Sequence, residues 1–462
     1  MDRTQTLSVA GDIGGIDAIE TPHLFLVLQS HRMAAPPARI RLAGLEEMIL
    51  GRGPEQRIEQ PNTQCIAVRT PDPWMSSTHA RMIRALNRWV IEDAGSKNGS
   101  LLSGAPLTAR ATLEDGDIIE LGHTFFVYRH ALRAAPGEPP ILDLAQHPAA
   151  LLGFATLSPD LERDLEKLAT VARAAIPVII EGETGTGKEV LARAVHDLSG
   201  RRGELVAVNC GALPQNLVEG ELFGHRRGAF SGATEDRPGL IRAADGGTLL
   251  LDEIGELPAP AQAALLRVLE AREVLPVGAT KPVPVDVRVL AATHRSLDAM
   301  VEQGSFRRDL FNRLAGYRAR LPPLRERIED LGILAASLLS RIAPAGAALP
   351  AIQPKAARAL LQCFWPGNIR QLEKALSSAA ALAKGSAIGL EHLPDDIRAA
   401  PAEDKNQNPA GGEEAAARNQ LVAMLIEHKG NVSAIARATG KARMQVQRWL
   451  KRYGLDPERY RG

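Results

Sequence analysis

Between Pro177 and Glu189 the sequence reads PVIIEGETGTGKE, residue types suited to handling phosphate. Gly182, Gly185 and Gly187 let the backbone fold tightly enough for successive N–H groups to point inward, and Lys188 brings a mobile positive charge. With Glu183, Thr184, Thr186 and Glu189 they make a loop expected to cradle a nucleoside triphosphate, although Glu189 stands where the general pattern has a Mg²⁺-touching hydroxyl. A carboxylate pair follows in GGTLLLDEIGE. Asp252 is expected to hold Mg²⁺, directly or through water, and Glu253 to orient and polarise an attacking water. Phosphate loop and acidic pair together predict triphosphate hydrolysis.

Buried strands must position these groups. Val178, Ile179 and Ile180 form a β-branched run opening into the glycine loop, and a helix starting near Lys188 adds its N-terminal dipole. Leu249, Leu250 and Leu251 predict a second strand that delivers Asp252, and LVAVNC a third that ends at Asn209.

The chain has 462 residues, enough for about two to four domains. Its net charge is only +1, so any nucleic-acid contact must come from a local basic patch. Cys65, Cys210 and Cys363 are widely spaced and odd in number, which predicts neither a disulfide framework nor a metal site and fits a reducing cytoplasm. No signal peptide is expected, and the apolar stretch from Leu331 to Ile352 is broken by Arg341, Pro344 and Pro350, so no membrane partner is expected either.

Residues 22–132 carry short runs (HLFLVL, RWVIED, DIIEL, TFFVYR) separated by turn residues, which predicts a small antiparallel β domain. Its loops hold Gly51-Arg52, then SSTHAR from Ser76, DAGSKNGS from Asp93 and LEDGD from Leu113; in this order they resemble a forkhead-associated (FHA) domain, a β-sandwich that binds phosphothreonine peptides. The resemblance implies that Arg52 and Ser76 contact the phosphate, His79 braces the Ser76 loop, Asn98 bonds the peptide backbone, and Lys97, where Thr is common, adds charge. It also implies a phosphothreonine protein or Ser/Thr kinase as partner. The Ala- and Pro-rich residues 133–150 are expected to be a linker.

From near Leu151 to near Arg398, GETGTGKE, ELFGHRRGAFSGA, GGTLLLDEIGE, VDVRVLAATHRSL, FRRDLFNRL, LPPLRER and WPGNIRQLEKAL resemble the AAA+ module of bacterial enhancer-binding proteins. These transcription activators open promoters bound by sigma-54 RNA polymerase, and Glu189 is usual among them. The resemblance implies that Gly228, Ala229, Phe230, Ser231, Gly232 and Ala233 form the loop that touches sigma-54, with Ser231 where Thr is normal. It further implies that Asn209 is the switch that holds Glu253, that Thr293 senses the γ-phosphate beside His294 where Asn is common, and that Arg307 and Arg313 are arginine fingers reaching a neighbouring subunit. Arg370 is then the sensor arginine of a helical lid spanning about 326–398, and the assembly a homo-oligomeric ring, hexameric in the family.

After a polar linker at 399–413, residues 414–462 resemble a Fis-type helix-turn-helix. Arg443, Gln445, Gln447, Arg448 and Lys451 lie on its third predicted helix, suited to upstream double-stranded DNA, with Arg and Gln reading base edges and the basic end meeting phosphates. The expected architecture is multidomain: an N-terminal all-β sandwich, a central α/β AAA+ P-loop ATPase with helical lid, and a C-terminal all-α helix-turn-helix. Two other functions compete with a sigma-54-dependent activator: a DNA-binding regulator that uses ATP only to oligomerise, and a phosphopeptide scaffold with a vestigial ATPase. Neither accounts for the intact hexapeptide together with Lys188, Asp252, Glu253 and Arg307.

Overall fold

The structure, a computed structural model, describes residues 19–134, 139–144, 154–214, 217–230, 233–344 and 346–399, together with Val432. The expected helix-turn-helix, with Arg443, Gln445, Gln447, Arg448 and Lys451, lies outside these residues, as do Ser231 and Gly232.

Two facing sheets form the N-terminal sandwich. One runs Ile141–Asp143, Ala38–Arg41, Ile19–Gln29, Thr124–Ala134, Ile118–Leu121, Ser100–Leu102, Ala105–Pro106; the other Ala111–Thr112, Arg88–Asp93, Ala80–Ala85, Glu47–Arg52, Cys65–Thr70, Arg57–Asn62. Pairing is antiparallel except between Glu47–Arg52 and Cys65–Thr70, which run parallel, so the expected purely antiparallel domain is in fact mixed. A second correction concerns the linker expected at 133–150. Ile141–Asp143 pairs with Ala38–Arg41, because Leu142 has a buried place at the sheet edge and leaves only 5% of its surface exposed.

Strand periodicity explains what the first sheet does. Leu24, Leu26, Phe126 and Tyr128 point into the sandwich core with Met48, Val68, Met82 and Trp89. Their neighbours Phe25, Val27, Phe125 and Val127 point out of the opposite face, yet they are fully buried, packed into one cluster with Leu324, Leu331, Leu338, Leu339 and Ile352 of the lid. A sheet covered on both faces reads as a continuous apolar run, which is the pattern of HLFLVL. The lid helix Leu331–Ile342 approaches this sheet closely at Gly332, where a Cβ would stand 1.9 Å from the carbonyl oxygen of Val27. Burying each of the four outward side chains is worth roughly 1.5–3 kcal/mol, more than an exposed ion pair supplies, so apolar packing dominates this contact.

The AAA+ sheet has five parallel strands in the order Leu205–Asn209, Thr248–Asp252, Arg288–Thr293, Val178–Glu181, Tyr317–Arg320. Apolar clusters cover its two faces, one around Val208, Leu249 and Leu251, the other around Ile180, Leu250 and Leu290. All strands therefore end on one edge, where Asn209 pairs with Asp252 and Glu181 with Thr293. The lid adds the helices Leu331–Ile342, Pro354–Gln362 and Asn368–Ala383. Among the described residues no helix is long and apolar enough to cross a membrane.

Candidate active site

The strand Val178–Glu181 runs into a loop with Gly185 and Gly187 at φ +82° and +103°, then into the helix Lys188–Leu198. These left-handed backbones need glycine, and space demands it too: a Cβ on Gly185 would lie 2.4 Å from the carbonyl oxygen of Gly367 in the lid. Lys188 Nζ donates to the Gly182 and Glu183 carbonyls at 2.9 and 3.3 Å and lies 3.7 Å from Glu253 Oε1. Thr186 Oγ1 donates to the Glu183 carbonyl at 2.8 Å.

The lid closes directly on this loop. Arg325 Nη1 donates to Glu183 Oε2 at 2.8 Å, and Asn368 Nδ2 donates to the same carboxylate and to the Thr184 carbonyl, both at 3.1 Å. The hydrogen bonds from Arg325 hold the Glu183 carboxyl below the usual carboxylate range. Buried Arg327 donates to the Thr186 carbonyl at 3.1 Å, the Ile369 N–H to the Gly185 carbonyl at 3.0 Å, and exposed Arg370 stands against Gly185. Glu183, a loop residue in the sequence reading, is thus the lid's main polar anchor.

Asp252 sits half-buried at its strand end; burial, with Glu253 beside it, pushes its carboxyl above the usual value. Two adjacent carboxylates, one of them reluctant to ionise, next to a glycine cradle that side chains would fill, fit a divalent cation carried with a triphosphate. Glu253 itself has a left-handed backbone, φ +54°, and its Oε2 lies 2.6 Å from His294 Nδ1.

Asn209 departs from the expected arrangement. It reaches the same edge, but its Oδ1 accepts the N–H groups of Gly211 and Ala212 at 3.0 and 3.2 Å, capping the turn that follows its own strand, while Glu253 is held by His294 and Lys188. Thr293 is buried at the edge, its Oγ1 accepting the Arg295 N–H at 3.0 Å. Arg307 and Arg313 do not join this cluster. Arg307 forks onto Asp309 at 3.0 and 2.6 Å with its side chain 46% exposed, and Arg313 reaches the Leu269 carbonyl at 3.2 Å.

In the hexapeptide loop the Gly228 N–H donates to the Ala233 carbonyl at 2.8 Å and the Ala233 N–H to that of Phe230 at 3.0 Å, closing a tight loop from Gly228 through Ala229. Phe230 has 36% of its surface exposed and lies edge-on to His225. In the loops of the sandwich, Arg52, Ser76 and Lys97 come together: Ser76 Oγ accepts the Lys97 N–H at 3.2 Å, and the Arg52 N–H donates to the Ser76 carbonyl at 2.9 Å. Fully buried His79 ties both loops, its Nδ1 accepting the Ser76 N–H at 3.1 Å and its Nε2 donating to the Gly99 carbonyl at 3.1 Å. Asn98 Nδ2 donates to the carbonyl of Trp74, whose ring stacks on His123 at 3.6 Å, an aromatic shelf with no signal in the sequence beyond the exposed tryptophan itself.

Comparison with known proteins agrees with this division. The sigma-54 interaction domain family matches residues 154–319, the AAA+ ATPase lid domain 325–410, and the FHA domain 48–122. The chain is 41% identical over 308 residues to the transcriptional regulatory protein GlrR of Escherichia coli K12, covering 65% of this chain and 68% of that one. It is 42% identical over 331 residues to the acetoin catabolism regulatory protein of Cupriavidus necator, covering 69% of this chain but only 49% of that one, so it spans about half of that relative's length. Among solved structures, NtrX from Brucella abortus in complex with ADP is similar at 32% identity, covering 66% of this chain and 69% of that one with a TM-score of 0.49. The chain belongs to the sigma-54-dependent transcriptional regulators, and joins an FHA domain to the AAA+ ATPase domain and lid of that family.

Proposed function

We propose that the protein is a sigma-54-dependent activator that binds upstream DNA, hydrolyses ATP in a homo-oligomeric ring in the cytoplasm, remodels the closed complex of sigma-54 RNA polymerase, and takes its input from a phosphothreonine protein through the FHA domain. The observation that carries the reading is the meeting of Lys188, Asp252, Glu253 and Thr293 at one sheet edge under a closed lid, with exposed Phe230 on a tight loop elsewhere on the same domain.

In this mechanism Lys188 leaves the Gly182 and Glu183 carbonyls for the phosphates, and the loop N–H groups hold the phosphate oxygens. Asp252 would hold Mg²⁺, which supplies neutralisation of charge on the transferring phosphoryl group. Glu253 orients the attacking water, while Thr293 and Arg370 flank the phosphate loop from strand end and lid. Arg307 and Arg313, away from their own subunit's cluster, suit completion of a neighbour's site, which makes turnover depend on assembly. The Gly228–Ala233 loop, including Ser231 and Gly232, then engages sigma-54. Arg443, Gln445, Gln447, Arg448 and Lys451 tether the ring to DNA.

Input from the FHA domain has a physical route, because that domain is packed on the lid that grips the phosphate loop. Phosphopeptide at Arg52, Ser76, Lys97 and Asn98 acts on the lid through this contact. Glu253→Gln tests the enzymatic core: ATP binding should persist and turnover should be lost, whereas wild-type hydrolysis in that variant removes Glu253 from its role.

A further inference from the structure

We propose that His294 is the positioning residue that latches Glu253, keeping the hydrolytic carboxylate from water until nucleotide is seated; this rests on the ATPase role given to Glu253 above. A carboxylate that polarises water must offer it a well-placed oxygen. Here one oxygen is held by hydrogen bonds and the other faces a cation. Oε2 lies 2.6 Å from His294 Nδ1 and 3.4 Å from the His294 backbone N–H, and Oε1 faces Lys188 Nζ at 3.7 Å. The left-handed backbone at Glu253, rarely adopted by a side-chain-bearing residue, is what brings the carboxylate off its strand end in this state.

Asn209, one strand over, accepts the N–H groups of Gly211 and Ala212 through its amide oxygen, and among the described residues the hydrogen bonds to the Glu253 side chain come from His294. The other charged groups around the pair are accounted for: Asp252 precedes Glu253 on its own strand, and Arg295 is paired with Glu256 at 2.6 Å.

The geometry also supplies a release. Thr293, next to His294, accepts the Gly182 N–H through its carbonyl at 3.1 Å and pairs in register with Glu181, so the phosphate loop and the latch share one stretch of backbone. Phosphates that draw Lys188 away from the Gly182 carbonyl break its contact with Glu253 and disturb the Gly182–Thr293 bond together. Both holds on the carboxylate then loosen upon the same event.

Steady-state ATP hydrolysis by the full chain tests this, with His294→Ala, the bulkier His294→Leu, His294→Asn and Asn209→Ala compared. Both His294→Ala and His294→Leu should raise basal kcat about fivefold at unchanged KM, the rate equivalent of one modest hydrogen bond. His294→Asn keeps an N–H donor and should stay near the wild type, while Asn209→Ala should not reproduce the gain. An unchanged or lower kcat in both donor-free variants, or the same gain from Asn209→Ala alone, overturns the latch. Failure of the underlying reading looks different: it is turnover surviving Glu253→Gln, and a His294→Ala gain that persists in the Glu253→Gln background.

Discussion

Arg129, in a long strand of the FHA domain, donates to Glu329 of the lid at 2.9 Å, and Glu329 is only 1% exposed. The same guanidinium reaches the Glu326 carbonyl at 3.0 Å, one residue before Arg327, which in turn bonds the phosphate loop at Thr186. Two residues of one lid turn therefore serve two domains. Arg358 gripping Glu120 through two bonds of 2.7 and 2.9 Å marks the same interface farther along the lid.

Arg129→Ala should be costly. It leaves Glu329 buried without its hydrogen-bonded cation, a defect worth about 3 kcal/mol. Urea unfolding should show that loss, the double variant Arg129→Ala/Glu329→Ala should lose less than the sum of the singles, and KM for ATP should rise as the lid turn loosens. A surface-like loss under 1 kcal/mol with unchanged KM would show that the two domains act independently.

Gly332→Ala inverts an ordinary expectation. Ala in a helix is normally better than Gly by up to about 1 kcal/mol, but here, in the first turn of Leu331–Ile342, its Cβ meets the Val27 carbonyl. The variant is expected to be destabilised and to split one unfolding transition into two, as the sandwich parts from the lid. Stabilisation would mean that the close approach does not persist in solution.

Asp330 should give the fold a pH dependence of its own. It is fully buried, accepts bonds from Thr156 and the Leu157 N–H at 2.7 Å, and burial pushes its carboxyl up to about 6. Its folded value lies above the unfolded one, so its stabilising contribution is complete below about pH 4 and is lost as pH rises through 6, roughly 3 kcal/mol in all. Glu183, held below its usual value, contributes in the opposite sense, losing its share as pH falls through the folded value. Unfolding free energy measured from pH 4 to 7 in wild type and Asp330→Asn should differ in slope, with the variant flatter between 4 and 6; parallel curves would contradict the assignment.

Much of the nucleotide site was legible because its chemistry is local. A strand, a glycine loop and Lys188 are contiguous, and Asp252 with Glu253 close another strand. The partners of those groups were not, since they are set by packing: nothing in the sequence says that Asn209 turns to its own strand end while His294 takes Glu253. The domain contact does have a signal in the sequence. Phe25, Val27, Phe125 and Val127 fall at positions where a solvated sheet face would carry polar residues. Likewise Ile141 and Leu142 look like linker between prolines and polar residues, and only the waiting edge of Ala38–Arg41 makes them a strand.

In the proposed function, ATP turnover in this chain remodels a sigma-54 promoter complex under control of a phosphothreonine signal. ATP-dependent open-complex formation by the purified chain at a sigma-54 promoter, with and without a phosphothreonine peptide, addresses it most directly. Opening should require hydrolysable ATP, fail in Glu253→Gln, and change when peptide binds the Arg52 site. ATP turnover with no opening under either condition would contradict it.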